Sequence, residues 1–155
     1  MVKKYLIYLD VCCLNRPFDD WNYERNRLEG ESIISIFKLF KSDQYNLVSS
    51  EVVEVELKKM KNIDKLKQIK DLLKKVDHRI ILNQEIDQRS QVLEKLGFGL
   101  YDSFHIASAE YAMVDVFLTT DDRLLKKALK YQNLLKVKVD NPVIWLMNNL
   151  LLKGD

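Results

Sequence analysis

Residues 3–20 read KKYLIYLDVCCLNRPFDD, and this stretch decides the fold class. The run over residues 5–11 is rich in Tyr, Leu, Ile and Val without a clean alternation, which is typical of a strand in the centre of a parallel sheet. Such a strand is covered on both faces, so an unpaired charge within it is costly. Asp10 ends the run and therefore needs either a partner or a function.

Length and composition predict one soluble globular domain over residues 1–155, because 47% of the 155 residues are hydrophobic and 31% are charged. The first apolar run spans only about seven residues and is interrupted by Asp10, so it is neither a signal peptide nor a membrane span. We therefore expect a cytoplasmic protein without membrane contact. Cys12 and Cys13 are adjacent, which disfavours a disulfide between them and predicts reduced packing residues.

Strand-like runs alternate with helical patterns along the chain. The strand-like runs cover residues 5–11, 45–48, 79–82, 115–119 and 135–139. The helical patterns cover residues 24–41, 51–60, 63–75, 84–96, 101–113, 122–131 and 142–150. This alternation predicts right-handed crossovers and an α/β fold, a three-layer α/β/α sandwich around a mainly parallel sheet of about five strands.

Acidic residues follow several of these strands. Asp10 lies near the end of the first, Glu51, Glu54 and Glu56 lie in the helix after the second, and Asp121 follows the fourth. A further acid, Asp102, falls in the first turn of an otherwise small and apolar helix. Each has an ordinary explanation as a helix N-terminal acid or a turn cap. Because ligands gather at the carboxyl ends of parallel strands, their convergence instead indicates a divalent cation that neutralises them.

Residues 58–75 carry many more lysines than aspartates, and their apolar residues recur at helical spacing. The pattern predicts an amphipathic helix with a basic outer face. That face is either simply solvated or a surface that attracts phosphate backbones. It contains no aromatic residues that would stack on bases.

Three local texts carry a family resemblance: YLDVCCLNRPFDD over residues 8–20, SSEVVEVEL over residues 49–57, and YDSFHIASAEYAMVDVFLTTDD over residues 101–122. Together with a final strand and helix, they resemble the PIN domain of toxin-antitoxin ribonucleases of the VapC type. The resemblance runs over residues 7–147. Its strongest part is the aspartate, helix, strand and T-x-D pattern of the third text.

The resemblance implies an acidic site made of Asp10, Glu56, Asp102 and Asp121, all acting as catalytic residues and metal ligands. Glu54 competes with Glu56 for the place of the second acid. Two residues along a helix correspond to a rotation of roughly 200°, so both cannot point into one site. Glu56 precedes Leu57, similar to the family's pattern, and we select it.

Other residues near the expected site are candidates for supporting roles. Thr119 is expected to orient the turn before Asp121 and to lie near the substrate. Asn15 and Arg16 contact a substrate phosphate or stabilise the turn after Asp10. Arg123 is a further candidate for substrate contact.

Asp122 and His105 are secondary alternatives. Asp122 is either a competitor of Asp121 for the T-x-D position or a neighbour that supports the site without binding the metal itself. His105 lies one helical turn after Asp102, where a metal ligand or general base is conceivable. Within an apolar helix, a hydrogen-bonded, half-buried histidine is the commoner case, and magnesium prefers oxygen ligands.

The resemblance implies a Mg²⁺- or Mn²⁺-dependent endoribonuclease that hydrolyses RNA phosphodiester bonds and leaves a 5′-phosphate and a 3′-hydroxyl. It also implies a small antitoxin that covers the site, and a homodimer. The alternative from another class is a catalytically silent PIN-like module that binds RNA or a partner protein.

Overall fold

The computed structural model describes residues 4–39, 44–76 and 78–151, and side chains as far as Asn149. The end of the helix predicted over residues 24–41 lies outside these ranges. Five strands are present within them. They are β1 Tyr5–Leu9, β2 Tyr45–Ser50, β3 His78–Ile80, β4 Val116–Leu118 and β5 Lys138–Asp140.

Eight α-helices flank the sheet in the described ranges. They are α1 Val11–Asn15, α2 Glu24–Leu39, α3 Glu51–Leu57, α4 Ile63–Leu73, α5 Gln84–Lys95, α6 Leu100–Tyr111, α7 Asp122–Lys130 and α8 Pro142–Leu146. A 3₁₀ turn, Arg16–Phe18, follows α1, and a π-helical turn, Met147–Leu151, follows α8. The predicted α/β sandwich with helices on both faces of the sheet is confirmed.

The sheet is parallel throughout, in the order β3-β2-β1-β4-β5. Strand β1 lies at its centre, as its uninterrupted apolar run predicts, and Ile7 and Tyr8 are almost completely buried. The Tyr8 ring stacks on Phe117 of β4 with 5.2 Å between the ring centroids. Because the chain moves outward from β1 in both directions, the order reverses between β1 and β4, which is where α/β sheets place their ligands.

The first strand is shorter than predicted. It ends at Leu9 rather than at residue 11, because Asp10 caps a helix that the apolar run concealed. The Asp10 carboxylate accepts the backbone N–H of Val11 at 2.7 Å, and the chain turns at once into α1. The stretch from Asn15 onward, which we expected to belong to a turn after Asp10, therefore begins inside a helix and continues as the 3₁₀ turn.

The two edge strands also differ from the predicted bounds. Strand β3 covers His78–Ile80 instead of residues 79–82, and β5 covers Lys138–Asp140 instead of residues 135–139. Each pairs with a neighbour on one side only. The bounds of each edge strand are set by the few residues that pair with the neighbouring strand, and the apolar pattern of the sequence does not show where that pairing begins and ends.

Within the described parts of the chain, no helix is both long and apolar enough to cross a membrane. The thiols of Cys12 and Cys13 are free.

Candidate metal centre

Strands β1, β2 and β4 lie side by side, and each is followed by a predicted acid at the same edge of the sheet. Asp10 follows β1, helix α3 with Glu56 follows β2, and Asp121 follows β4 by three residues. Helix α6 adds Asp102 in its first turn. The fold therefore brings the predicted acids to one region from four separate segments.

Asp10 is buried and firmly oriented. One carboxylate oxygen accepts the N–H of Val11, and the other accepts the hydroxyl of Thr119 at 2.9 Å. The Cys12 thiol adds a weaker contact at 3.4 Å. The backbone N–H of Asp10 donates to the carbonyl of Leu118 at 3.0 Å, which ties the end of β1 to the end of β4.

Glu56 and Glu54 point to different parts of the molecule, as the helical rotation between them requires. Glu54 binds Arg79 through two hydrogen bonds of 2.5 and 2.8 Å, away from Asp10. The hydrogen bond from Arg79 lowers the pKa of Glu54. Glu56 instead accepts from Nε2 of His105 at 2.7 Å, and 31% of its side chain is exposed. Of these two glutamates, only Glu56 lies beside Asp10.

His105 is completely buried, whereas we expected it to be half-buried. Its Nε2 lies 2.7 Å from Glu56 and 3.8 Å from the nearer oxygen of Asp10. Its Nδ1 is 2.6 Å from the hydroxyl of Tyr8. Burial lowers the pKa of His105, but the hydrogen bond to Glu56 and the charges of Asp10, Glu56 and Asp102 outweigh that effect and raise it.

Asp102 is half-buried in the first turn of α6, beside the other acids. Burial, together with the negative charges of Asp10, Asp121 and Glu56, raises the pKa of Asp102 to about 6, with His105 opposing the shift. None of the described residues donates a hydrogen bond to its carboxylate. The Asp102 oxygens therefore remain available to a ligand, and His105 offsets only part of the negative charge around them.

Thr119 and Asp121 form the turn after β4. The Thr119 hydroxyl donates to Asp10 and accepts the N–H of Asp121 at 3.1 Å, so it holds the turn in the way we predicted. Thr119 is completely buried, and its contact with substrate stays a prediction. Asp121 is exposed and caps α7, accepting the N–H groups of Arg123 and Leu124 at 2.9 and 3.3 Å through one oxygen.

The loop and turn candidates have structural partners. Arg16 donates to Glu29 and to Asp19, both at 2.7 Å, so it stabilises its own turn. Asp122 is bound by Arg25 through two hydrogen bonds of 2.7 and 2.8 Å, which lowers the pKa of Asp122. Asp122 therefore supports the turn from outside the acidic site.

Asn15 and Arg123 remain candidates for substrate contact. The side-chain oxygen of Asn15 is buried without a hydrogen-bond partner among the described residues. Arg123 is exposed at the start of α7, next to Asp121.

The predicted basic face is present on α4 and the turns around it, but several lysines are already engaged. Lys65 forms an ion pair with Asp19, and Lys74 lies 3.2 Å from Asp71. The ammonium group of Lys59 lies over the ring of Tyr101, 4.5 Å from its centroid. Tyr101 lies on α6, so this contact ties the turn after α3 to the first turn of α6.

Asp10, Glu56 and His105 form the tightest group of potential metal ligands in the described ranges. One ligand atom of each lies within 4.8 Å of the other two. Asp102 and Asp121 are outside this group but close enough for their charges to interact with it. Clustered carboxylates with one raised pKa suit a hard divalent cation, because oxygen ligands and uncompensated negative charge are what Mg²⁺ and Mn²⁺ bind.

Two solved VapBC structures contain a chain with this architecture. One chain in the structure of VapBC2 from Rickettsia felis matches this protein with a TM-score of 0.57 and 16% identity. In that structure VapBC2 is bound to a DNA fragment from its promoter. A chain of VapBC-1 from nontypeable Haemophilus influenzae matches with a TM-score of 0.54 and 16% identity. Each match covers 88% of this chain and 98% of the other.

The protein has a PIN-like fold. The resemblance to VapC-type PIN domains that the sequence indicates is thus confirmed at the level of the fold. No protein-family model matches the chain, and no curated protein matches it significantly in sequence. At 16% identity, the likeness establishes the PIN-like fold and leaves the chemistry to the residues of the site.

Sequence reasoning missed the hydrogen-bonded residues behind the PIN-like site. Tyr8 and Ser50 lie on β1 and β2, and their hydroxyls contact each other within the core, while the Tyr8 hydroxyl also contacts His105. Tyr8 reads as an ordinary core residue in the sequence. The only available signal was its hydroxyl, because a buried tyrosine hydroxyl requires a partner.

Proposed function

We propose that this protein is a metal-dependent endoribonuclease of the VapC type, which uses Mg²⁺ or Mn²⁺ to hydrolyse RNA phosphodiester bonds. The observation that carries the proposal is the convergence of acids around Asp102, whose pKa rises to about 6 because the carboxyl is buried and lies near the charges of Asp10, Asp121 and Glu56. The PIN-like fold supports it, since two VapBC structures share that fold.

In this proposal Asp10, Glu56, Asp102 and Asp121 hold the cation. The cation, when bound, supplies positive charge that activates a water molecule and stabilises the phosphate oxygens. The chain's own residues keep the carboxylates in place: Thr119 fixes Asp10, and the capping bonds to the start of α7 fix Asp121. Asp102 contributes carboxylate oxygens that accept no hydrogen bond from the other described residues.

RNA is the substrate that we propose, with Lys59 as the first basic contact at the border of the site. Its ammonium group lies over Tyr101, so a phosphate and a base could both find partners next to Asp102. Asn15 and Arg123 are further candidates for substrate contact. A homodimer and a cytoplasmic location complete the proposal.

The proposed partner is a small antitoxin protein. Both structural neighbours are named as VapBC complexes. An antitoxin that covered the acids of this chain would block access to the cation and hold the nuclease inactive. The promoter DNA is named for the Rickettsia felis structure, and DNA binding is not part of the function that we propose for this protein.

The second candidate function is a silent PIN-like module that binds RNA or protein without cleaving it. It is favoured by the engagement of two of the acids: Glu56 accepts from His105, and Asp121 caps its own helix. If those hydrogen bonds persist at all times, the ligand set is incomplete.

Cleavage of a mixed cellular RNA preparation distinguishes the two candidates. Purified protein, freed from any copurified antitoxin, is incubated with Mg²⁺ or Mn²⁺ and, separately, with EDTA. Products are then ligated to an adaptor that joins only 5′-phosphate ends. The matched variants are Asp102→Asn, within the acid cluster, and Asp122→Asn, whose carboxylate is held by Arg25 outside it.

The nuclease proposal expects metal-dependent cuts with 5′-phosphate ends in the wild type and in Asp122→Asn, and none in Asp102→Asn. Cuts that persist in EDTA, or in Asp102→Asn, would contradict the acid site. No cuts by a folded, antitoxin-free protein with either metal would favour the silent module.

A further inference from the structure

A buried chain of polar side chains leads from the core to Glu56. The backbone N–H of Val53 donates to the hydroxyl of Ser50 at 3.4 Å, and the Ser50 and Tyr8 hydroxyls are 2.6 Å apart. The Tyr8 hydroxyl is 2.6 Å from Nδ1 of His105, whose Nε2 contacts Glu56 at 2.7 Å. Ser50, Tyr8 and His105 are all completely buried. These direct hydrogen bonds thus connect strands β1 and β2 with helices α3 and α6.

The chemistry of the groups fixes the direction of the last hydrogen bond. An ionised carboxylate only accepts, so Nε2 of His105 must carry the hydrogen that points to Glu56, whether the ring is neutral or charged. With a neutral ring, Nδ1 accepts from Tyr8, Tyr8 accepts from Ser50, and Ser50 accepts from Val53. Every hydrogen in this chain then has an acceptor, as buried polar groups require.

Glu56 needs such an anchor more than the other acids of the site. Asp10 is held by Val11 and Thr119, whereas Glu56 has a longer side chain on a helix of only seven residues. Repulsion from Asp10 and Asp102 favours rotamers that carry the Glu56 carboxylate away into solvent. The hydrogen bond from His105 is the contact that opposes this movement.

The other glutamates of α3 provide a comparison. Glu51 accepts the backbone N–H of Leu82 at 2.8 Å, and Glu54 is bound by Arg79. Both partners lie on or just after the edge strand β3, away from the acid cluster. Of the three, Glu56 alone is held by a donor that is itself fixed within the core.

We propose that His105 is a positioning residue, held in place by Tyr8, that keeps the Glu56 carboxylate facing Asp10 and Asp102. The inference rests on the proposed function, because it assigns Glu56 to the cation site. It gives His105 no contact with the reacting atoms. The same geometry explains why a histidine occupies a completely buried position in an otherwise apolar helix.

Two amide substitutions separate this role from a merely structural one. In His105→Gln the side-chain amide reaches about the place of Nε2, so it can still donate to Glu56. In His105→Asn the amide reaches only the place of Nδ1, so contact with Tyr8 remains but the donor to Glu56 is lost. Both variants keep a polar group in the same cavity.

The experiment compares these variants by Mn²⁺ binding to the metal-free protein, followed by electron paramagnetic resonance, and by RNA cleavage. Since a hydrogen bond to a residue that ligates a metal is typically worth on the order of 10–100-fold, we expect His105→Asn to lose that factor in Mn²⁺ affinity and in kcat. The KM for RNA should stay near the wild-type value. His105→Gln should recover most of both losses.

Equal losses in the two variants, or no loss in either, would overturn the positioning role. If the wild type binds Mn²⁺ but does not cleave RNA, the proposed nuclease function fails while the Mn²⁺ comparison still decides the role of His105. If the wild type binds no Mn²⁺, both proposals fall.

Tyr8→Phe guards against misfolding of the histidine variants, because it preserves the volume of the core. It removes the anchor of Nδ1 and should weaken Mn²⁺ binding several-fold while the ring of His105 remains. Circular dichroism checks that Tyr8→Phe is folded. If the folded variant binds Mn²⁺ as tightly as the wild type, the proposed role of Tyr8 in holding His105 is contradicted.

Discussion

Asp102→Asn should make the metal-free protein more stable at neutral pH while it abolishes RNA cleavage. Asparagine preserves the shape of the side chain but removes a charge that the site does not neutralise. The pKa of Asp102 rises from 3.8 to about 6, because of burial and then the charges of Asp10, Asp121 and Glu56. The ionised carboxylate therefore destabilises the folded state when no cation is bound.

The magnitude follows from that shift. A difference of roughly two pKa units corresponds to about 3 kcal/mol of unfolding free energy. Asp102 is only half-buried, so solvent screening reduces the expected gain to about 1–2 kcal/mol. For a chain of this length, that gain raises the melting temperature by roughly 3–6 °C.

The pH dependence has a definite sign. In the unfolded chain Asp102 ionises near its ordinary value of 3.8, and in the folded protein near about 6. Between these pH values the unfolded state binds fewer protons, so the wild-type free energy of unfolding falls as the pH rises. The advantage of Asp102→Asn should thus be nearly absent at about pH 4 and complete above about pH 6.

The assay is thermal unfolding of both proteins in EDTA over this pH range, and then with Mg²⁺. Asp122→Asn is the matched control, since Arg25 lowers the pKa of Asp122 and its loss should not stabilise the protein. Mg²⁺ should raise the melting temperature of the wild type more than that of Asp102→Asn. A variant that is no more stable than the wild type at pH 7.5 in EDTA would refute the reasoning.

Three further predictions concern the acids of the site and the residues that hold the surrounding turns. Glu56→Gln should reduce RNA cleavage to background, whereas Glu54→Gln should leave it within a few-fold of the wild type, because Glu54 binds Arg79 away from Asp10. Equal cleavage rates for the two variants would contradict the assignment of Glu56 to the cation site. Thr119→Val preserves the side-chain shape but removes the hydroxyl that holds Asp10, so kcat should fall on the order of 10–100-fold in single-turnover assays, and an unchanged kcat would exclude this orienting role. Glu29→Gln should lower the free energy of unfolding in urea by about 2–3 kcal/mol, because the buried carboxylate accepts from two arginines; a loss below about 0.5 kcal/mol would show that the amide replaces it.

The fold was predictable because its decisive signals are local. An uninterrupted apolar run at residues 5–11 indicates a central parallel strand, and the alternation of strands and helices then indicates the sandwich. The short helix α1 was not predictable from periodicity, since five residues span little more than one turn. The signal for α1 in the sequence was Asp10, which can cap the N-terminus of a helix. The apolar residues after Asp10 concealed the change from strand to helix because they look like a continuation of the strand.

The site was predictable in part. The rotation between Glu54 and Glu56 separates them on α3, and the structure gives them different partners. The contact between Tyr8 and His105 joins residues 97 positions apart, so no local pattern contains it. The role of Arg16 also depended on Glu29 in the next helix, which the sequence alone does not place beside it.

The most direct test of the metal centre is anomalous diffraction from crystals of the protein soaked in Mn²⁺. The account predicts an anomalous peak bounded by the carboxylates of Asp10, Glu56 and Asp102, and no such peak in crystals of Asp102→Asn. A well-ordered wild-type site without a peak, or a peak that persists unchanged in Asp102→Asn, would contradict the assignment of these acids as a cation site.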